Sequence, residues 1–116
     1  VSGAFHSPLM QPAAELLAQR LDQIQLRPAA VPVVSNADAA AHTDPEEIRT
    51  ALRRQMTSSV LWQQSVEVMI ARGVHTFIEI GPGTVLSKLI ARINGAVAVH
   101  NVGDVASLER TVAALA

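Results

Sequence analysis

The sequence predicts an α/β fold, with helices layered on a parallel sheet. Two observations carry that expectation. Segments with β-type patterning near 32–35, 76–80 and 97–102 are separated by helix-patterned stretches, and strands alternating with helices pair in parallel through crossovers. Helix start signals at Asp44-Pro45 and Asp104 punctuate the alternation. Three strands make a narrow sheet, and parallel sheets are normally covered on both faces. The pattern therefore also predicts further cover, from an N-terminal half of the same domain or from a partner chain.

In chain order, residues 11–26 read as a helix. Pro12 suits its first turn, and Ala14, Leu17, Leu21 and Ile24 recur at three- and four-residue steps. Val31-Pro32-Val33-Val34-Ser35 is a short strand, with Pro32 at its start or on an edge. Asn36-Ala37-Asp38 reads as a turn, the following stretch as a loop, and His42 as a solvated loop residue. The next helix has Asp44 as N-cap, Pro45 in first position and Glu47 in third, a capping-box arrangement. Its apolar stripe is Ile48, Ala51, Leu52 and Met56, and Gln55 falls inside it. That glutamine either reaches water at the stripe's edge or points at an internal site, and spacing leaves both open. A third helix presents Trp62, Val66, Met69 and Ile70 and closes at Gly73. His75–Ile80 is the strongest strand pattern. Gly81-Pro82-Gly83 reads as a tight strand-to-helix turn in preference to a phosphate loop, because the lysine-bearing pattern is absent. Val85, Leu86, Leu89, Ile90 and Ile93 line the helix that follows; Glu79 receives no chemistry. Val97–Val102 is a strand, with His100 a satisfied structural histidine. Asp104 caps a last helix whose inward face is Val105, Leu108, Val112 and Leu115. No repeat or inter-domain linker interrupts residues 1–116, which read as a single unit.

Bulk properties exclude several functions. The chain has 116 residues, 49% hydrophobic, enough for a packed core. Net charge is -1, from 9 basic and 10 acidic residues without a basic patch, and aromatics are only 3%. A nucleic-acid partner is not expected. The lack of cysteine removes disulfides and thiolate chemistry. No histidine–carboxylate spacing suggests a metal site, and no cofactor is implied. No apolar run approaches the roughly eighteen residues of a membrane span, so no membrane partner is expected, and the composition fits a cytoplasmic protein.

The candidate site begins at Gly3-Ala4-Phe5-His6-Ser7-Pro8-Leu9-Met10. Pro8 drives Ser7 out of the helical region, so His6 lies on an extended segment or turn, where it can face a cleft and exchange protons near neutral pH. This string resembles the segment carrying the catalytic histidine in malonyl-CoA:acyl carrier protein transacylases and in polyketide synthase acyltransferase domains. The resemblance continues, in the family's order, through Pro32-Val33-Val34-Ser35-Asn36, Arg54-Gln55-Met56-Thr57-Ser58, Trp62-Gln63-Gln64-Ser65-Val66 and Glu79-Ile80-Gly81-Pro82-Gly83-Thr84-Val85-Leu86. The family's Gly-His-Ser-hydrophobic-Gly elbow is absent, so the chain resembles the C-terminal part of a transacylase.

The resemblance implies part of an α/β-hydrolase-like three-layer parallel sheet, the C-terminal portion of the large acyltransferase subdomain. It implies a malonyl group moved from malonyl-CoA to a serine and then to the phosphopantetheine thiol of acyl carrier protein. His6 would be the base, and the Gln55 main-chain carbonyl would hold its second nitrogen. Phe5 would crowd an α-methyl group and favour malonyl over methylmalonyl. The serine, the arginine that meets the malonyl carboxylate and the oxyanion-hole glutamine would lie in the missing N-terminal half, leaving this chain alone inactive. The family connection fits a discrete fatty-acid enzyme better than a polyketide synthase domain. The rival from another class is a small non-enzymatic α/β interaction module.

Overall fold

The computed structural model describes residues 3–116, so Val1 and Ser2, which open the histidine segment, lie outside the described residues. The chain forms two compact units, Val1–Val68 and Met69–Ala116.

In the first unit, a 3-10 turn at Pro8–Met10 leads into helix α1, Gln11–Gln23. Ala14 and Leu21 are buried on the expected stripe, whereas Ile24 is half exposed beyond the helix end. Helix α2, Pro45–Gln55, starts where the sequence places it. The Asp44 carboxylate accepts from the Glu46 and Glu47 amides at 2.9 and 3.1 Å. These are two of the donors that a helix start leaves without intrahelical partners. Arg49 is buried and ties α2 to the end of α1, donating to the Ile24 carbonyl at 3.1 Å and to Glu46 at 3.2 Å. Arg53 pairs with Asp22 on α1. Helix α3, Trp62–Ala71, begins in this unit and ends in the second, with Val66 fully buried.

The 33–42 region differs from expectation. Strand β1, Val33–Val34, pairs antiparallel with β2, Ala41–His42, and not with the later strands. Side chains close the turn between them. Ser35 Oγ accepts from the Ala37 amide and Asp38 Oδ1 from the Ala40 amide. The Ser35 amide donates to the Ala40 carbonyl at 3.0 Å. Turn chemistry of this kind folds the chain back on itself before it can cross over.

His42 is consequently no solvated loop residue. Its side chain is 15% exposed, with Nε2 3.1 Å from Asp38 and Nδ1 3.3 Å from Glu47. Glu47 thus faces His42 and bridges the hairpin to the start of α2. Burial disfavours a charge on His42, but the hydrogen bonds and charges of Asp38 and Glu47 outweigh it and raise its pKa above the ordinary value. Asp38 likewise loses solvent, yet the Ala40 amide, His42 and the more distant Arg54 hold its carboxyl below the usual range.

In the second unit, β3, Thr76–Ile80, and β4, Ala98–Val102, pair in parallel from Thr76↔Ala98 to Ile80↔Val102. Helix α4, Val85–Ile93, connects them, and α5, Val105–Leu115, follows. The crossover fits the parallel expectation for 76–80 and 97–102, and the fold class is mixed α/β with a parallel sheet. Gly103 sits at a close approach, because a Cβ there would lie 3.0 Å from the Gly81 carbonyl oxygen. Asp104 and Ser107 form a reciprocal capping box at the start of α5.

The inward face of α5 also differs from expectation. Val105, Leu108, Val112 and Leu115 are 48–72% exposed, while Ser107 and Thr111 are buried. Thr111 donates to the Asn101 carbonyl at 3.3 Å, so the small polar face lies toward β4. On β3, Phe77 is buried whereas Ile78 and Ile80 stand exposed. In α4, Ser87 and Ile90 are buried, Val85 is largely bare and Leu86 is partly exposed. His100 is half-buried in β4, but its ring makes no hydrogen bond among the described residues, so the expected satisfied histidine is not found.

Two outcomes follow from these contacts. Asp44→Ala removes the cap of α2 and lowers stability by about 1 kcal/mol, read from urea denaturation. His42 has a pKa raised above 6.5, so the stability it adds is full below that value and disappears as pH rises through its folded value. Asp38 has a pKa lowered from 3.8, so its share is present above that value and disappears as pH falls through its folded value. The melting-temperature difference between the wild type and His42→Gln is therefore largest at about pH 5 and shrinks as pH rises beyond 6.5 through the folded value. A difference that is flat with pH would show that His42 is not held charged.

Candidate active site

The site is built from a turn and a helix end, both in the first unit. Ser7 is extended (φ -138, ψ 164), as the residue before a proline must be. His6, just before it, lies on a turn in the left-handed region at φ 57. Few residues with a Cβ enter this region, and such strain recurs where a side chain must be aimed.

At the other side, α2 ends with Gln55. The last carbonyls of a helix have no intrahelical donor, and the dipole makes that end partially negative. The Gln55 carbonyl is such a group. His6 Nδ1 lies 2.9 Å from it, across 49 positions of sequence.

The contact fixes the ring's chemistry. A carbonyl can only accept, so Nδ1 carries the hydrogen and donates it. In the neutral ring Nε2 then holds the lone pair, available to take a proton. The Gln55 side-chain nitrogen also lies 3.3 Å from Nδ1. Two donors cannot share one hydrogen bond, so the side-chain amide assists only when turned to present its oxygen. The main-chain contact is therefore the one that orients the ring.

His6 and Gln55 are thus brought together, while Phe5 neighbours His6 in the chain only. Phe5 is 61% exposed, and its ring folds back over Gly3, where a Cβ would come within 2.5 Å of it. Behind Gln55, residues that include Val34, His42, Ile48 and Leu52 line a mostly apolar cavity of about 220 Å³. Ligand pockets usually start at about 300 Å³, so this hollow is small for a substrate.

Sequence reading missed Glu79. Its carboxylate accepts from the Leu86 amide at 3.1 Å, from the Ser87 amide at 2.9 Å and from the Ser87 hydroxyl at 2.6 Å. Asn101 donates to it at 3.0 Å. The Ser87 hydroxyl and amide, with Leu86 and Asn101, hold its pKa below the usual value against desolvation. Glu79 therefore occupies the start of α4 where a phosphate would sit, and the Gly81-Pro82-Gly83 segment is a turn. The missed signal was an acidic residue on an apolar strand seven residues before helical amides. Among the described residues no cluster of three or more His, Cys, Asp or Glu could hold a metal ion. No helix there is long and apolar enough to cross a membrane.

No family model matches the chain. A malonyl CoA-acyl carrier protein transacylase of Bacillus subtilis is 44% identical over 115 residues, 99% of this chain and 36% of the relative. Its counterpart in Haemophilus influenzae is 47% identical over 107 residues, 92% of this chain and 34% of the relative. Among solved structures, an acyl carrier protein S-malonyltransferase from Vibrio cholerae superposes with TM-score 0.88 at 44% identity, covering 96% of this chain and 36% of that one. A malonyl-transacylase in complex with a type II PKS acyl-carrier protein superposes with TM-score 0.90 at 39% identity, covering 98% of this chain and 37% of that one. The chain spans about a third of the length of the curated relatives it matches. In sequence and in fold, it is a homologue of the C-terminal portion of malonyl CoA-acyl carrier protein transacylases.

Proposed function

We propose that residues 1–116 act as one unit, the part of an [acyl-carrier-protein] S-malonyltransferase that supplies the general base, His6. The 2.9 Å contact from His6 Nδ1 to the Gln55 carbonyl carries this reading, because it leaves Nε2 free to accept a proton. The substrates are malonyl-CoA and acyl carrier protein, and the protein works in the cytoplasm without a cofactor. The likeness to a transacylase solved with its carrier protein supports the partner assignment. Neither the interaction module nor a polyketide synthase domain is favoured by the relatives.

The reaction runs in two half-reactions. A serine hydroxyl, supplied by the part of the enzyme outside this chain, attacks the malonyl thioester carbonyl as its proton passes to His6 Nε2. The tetrahedral intermediate collapses, the carbon–sulfur bond breaks, and the departing coenzyme A thiolate takes the proton from His6. The phosphopantetheine thiol then gives its proton to Nε2 and attacks the seryl ester, and the serine oxygen leaves with that proton. His6 ends each half-reaction neutral. The Gln55 carbonyl stabilises the imidazolium of each transition state and fixes the ring's tautomer. Phe5, beside His6, crowds the position of an α-methyl substituent.

In the full-length enzyme, His6→Ala lowers kcat by about 10²- to 10⁴-fold with little change in melting temperature. Gln55→Met does less harm, because the main-chain carbonyl remains. Near-normal transfer by His6→Ala, or turnover by this chain alone, would overturn the assignment.

Phe5→Ala raises methylmalonyl use relative to malonyl by about tenfold, within the range one methylene is worth in a pocket. Competing the two acyl-CoA substrates measures it, and an unchanged ratio removes Phe5 from specificity.

A further inference from the structure

The left-handed backbone of His6 needs something to hold it, and Ser7 is placed to do so. Its hydroxyl donates to the Ala4 carbonyl at 2.6 Å, closing a loop across Phe5 and His6. Its own carbonyl accepts from the Met10 amide at 3.0 Å, which anchors the same residue to the 3-10 turn at Pro8–Met10. Pro8 restricts Ser7 to extended backbone, so the hydroxyl acts from a rigid base. Ser7 thus fastens both sides of the turn that presents His6. With its proton committed to a carbonyl, the hydroxyl is not poised as a nucleophile.

We propose that Ser7 is a positioning residue for proton transfer. Its side chain clasps Ala4 and keeps His6 in the left-handed conformation that brings Nδ1 to the Gln55 carbonyl and leaves Nε2 exposed to substrate. This rests on the reading of His6 as the base. Ser7 acts through the backbone, and it is half-buried on an otherwise exposed turn, so its removal leaves the fold in place. What it removes is the preference of His6 for one orientation. Misplacement of a reacting group by about 1 Å can cost on the order of a hundredfold in rate.

The test uses full-length enzyme with ¹⁵N-labelled histidine, comparing Ser7→Ala and Ser7→Thr with the wild type. The wild type shows a slowly exchanging Nδ1 proton for His6. In Ser7→Ala that signal broadens or disappears, and kcat falls about 10- to 100-fold with KM little changed. Ser7→Thr keeps the hydroxyl and restores both. A Ser7→Ala enzyme that retains signal and rate overturns the proposal. With His6→Ala impaired, a Ser7→Ala enzyme that loses the signal yet transfers at the wild-type rate overturns it too. If His6→Ala itself transfers normally, the base reading fails, and the role of Ser7 in proton transfer fails with it, whatever the Nδ1 signal shows.

Discussion

The site depends on one constraint, a helix that must stop where its free carbonyl can receive a histidine. Gln55 is the last residue of α2, and its oxygen meets His6 only because the helix ends there. Each residue added to a helix turns its end by about 100° and advances it about 1.5 Å. Continuing α2 by about four residues would give the Gln55 carbonyl an intrahelical donor in place of the histidine. The Asp44 cap at the start of α2 therefore bears on the site as well as on stability. So does Arg49, which links α2 to the carbonyl at the end of α1.

Charged side chains elsewhere in the chain are committed to similar structural tasks. Asp44, Glu79 and Asp104 each sit at the start of a helix and accept from its first amides. Arg49 and Arg53 hold helix ends and a carboxylate on α1. His42 is enclosed by two acids. These groups answer local demands of the backbone, which sets them apart from His6 as a candidate for proton transfer. The distinction between His6 and His42 is instructive. Both ring nitrogens of His42 face carboxylates, which favour its protonated form and leave neither nitrogen free. His6 has one nitrogen held and the other free.

Local signals in the sequence were sufficient wherever a short-range physical rule decides the outcome. Asp44-Pro45 and Asp104 mark helix starts because capping is a three-residue affair, and 76–80 and 97–102 pair in parallel because a helix lies between them. The His6–Gln55 contact was legible only through resemblance, since no periodicity connects residues 49 apart. Other features were illegible for identifiable reasons. The β1–β2 hairpin is set by side-chain bonds within the Ser35–Ala40 turn, and its two-residue strands are too short to show alternation. Glu79 reads as an anomaly on an apolar strand until the helix it caps is folded beside it.

Helix α5 makes the limit of pattern reading clearest. Val105, Leu108, Val112 and Leu115 follow the spacing of a buried stripe, yet they are exposed, and Ser107 and Thr111 lie toward β4. The periodicity correctly separates two faces of the helix. It does not say which face meets which neighbour, because a stripe of apolar residues and a stripe of small hydroxyl residues can both be covered. On β3, Ile78 and Ile80 raise the same question, with an open apolar face opposite the buried Phe77. Parallel strands are normally enclosed on both faces, and the relatives that this chain matches are nearly three times its length. The hydrophobic pattern is thus better matched to the larger body of those relatives than to the contacts available within 116 residues. Periodicity reports the surroundings a helix is suited to, and only coordinates report the surroundings it has.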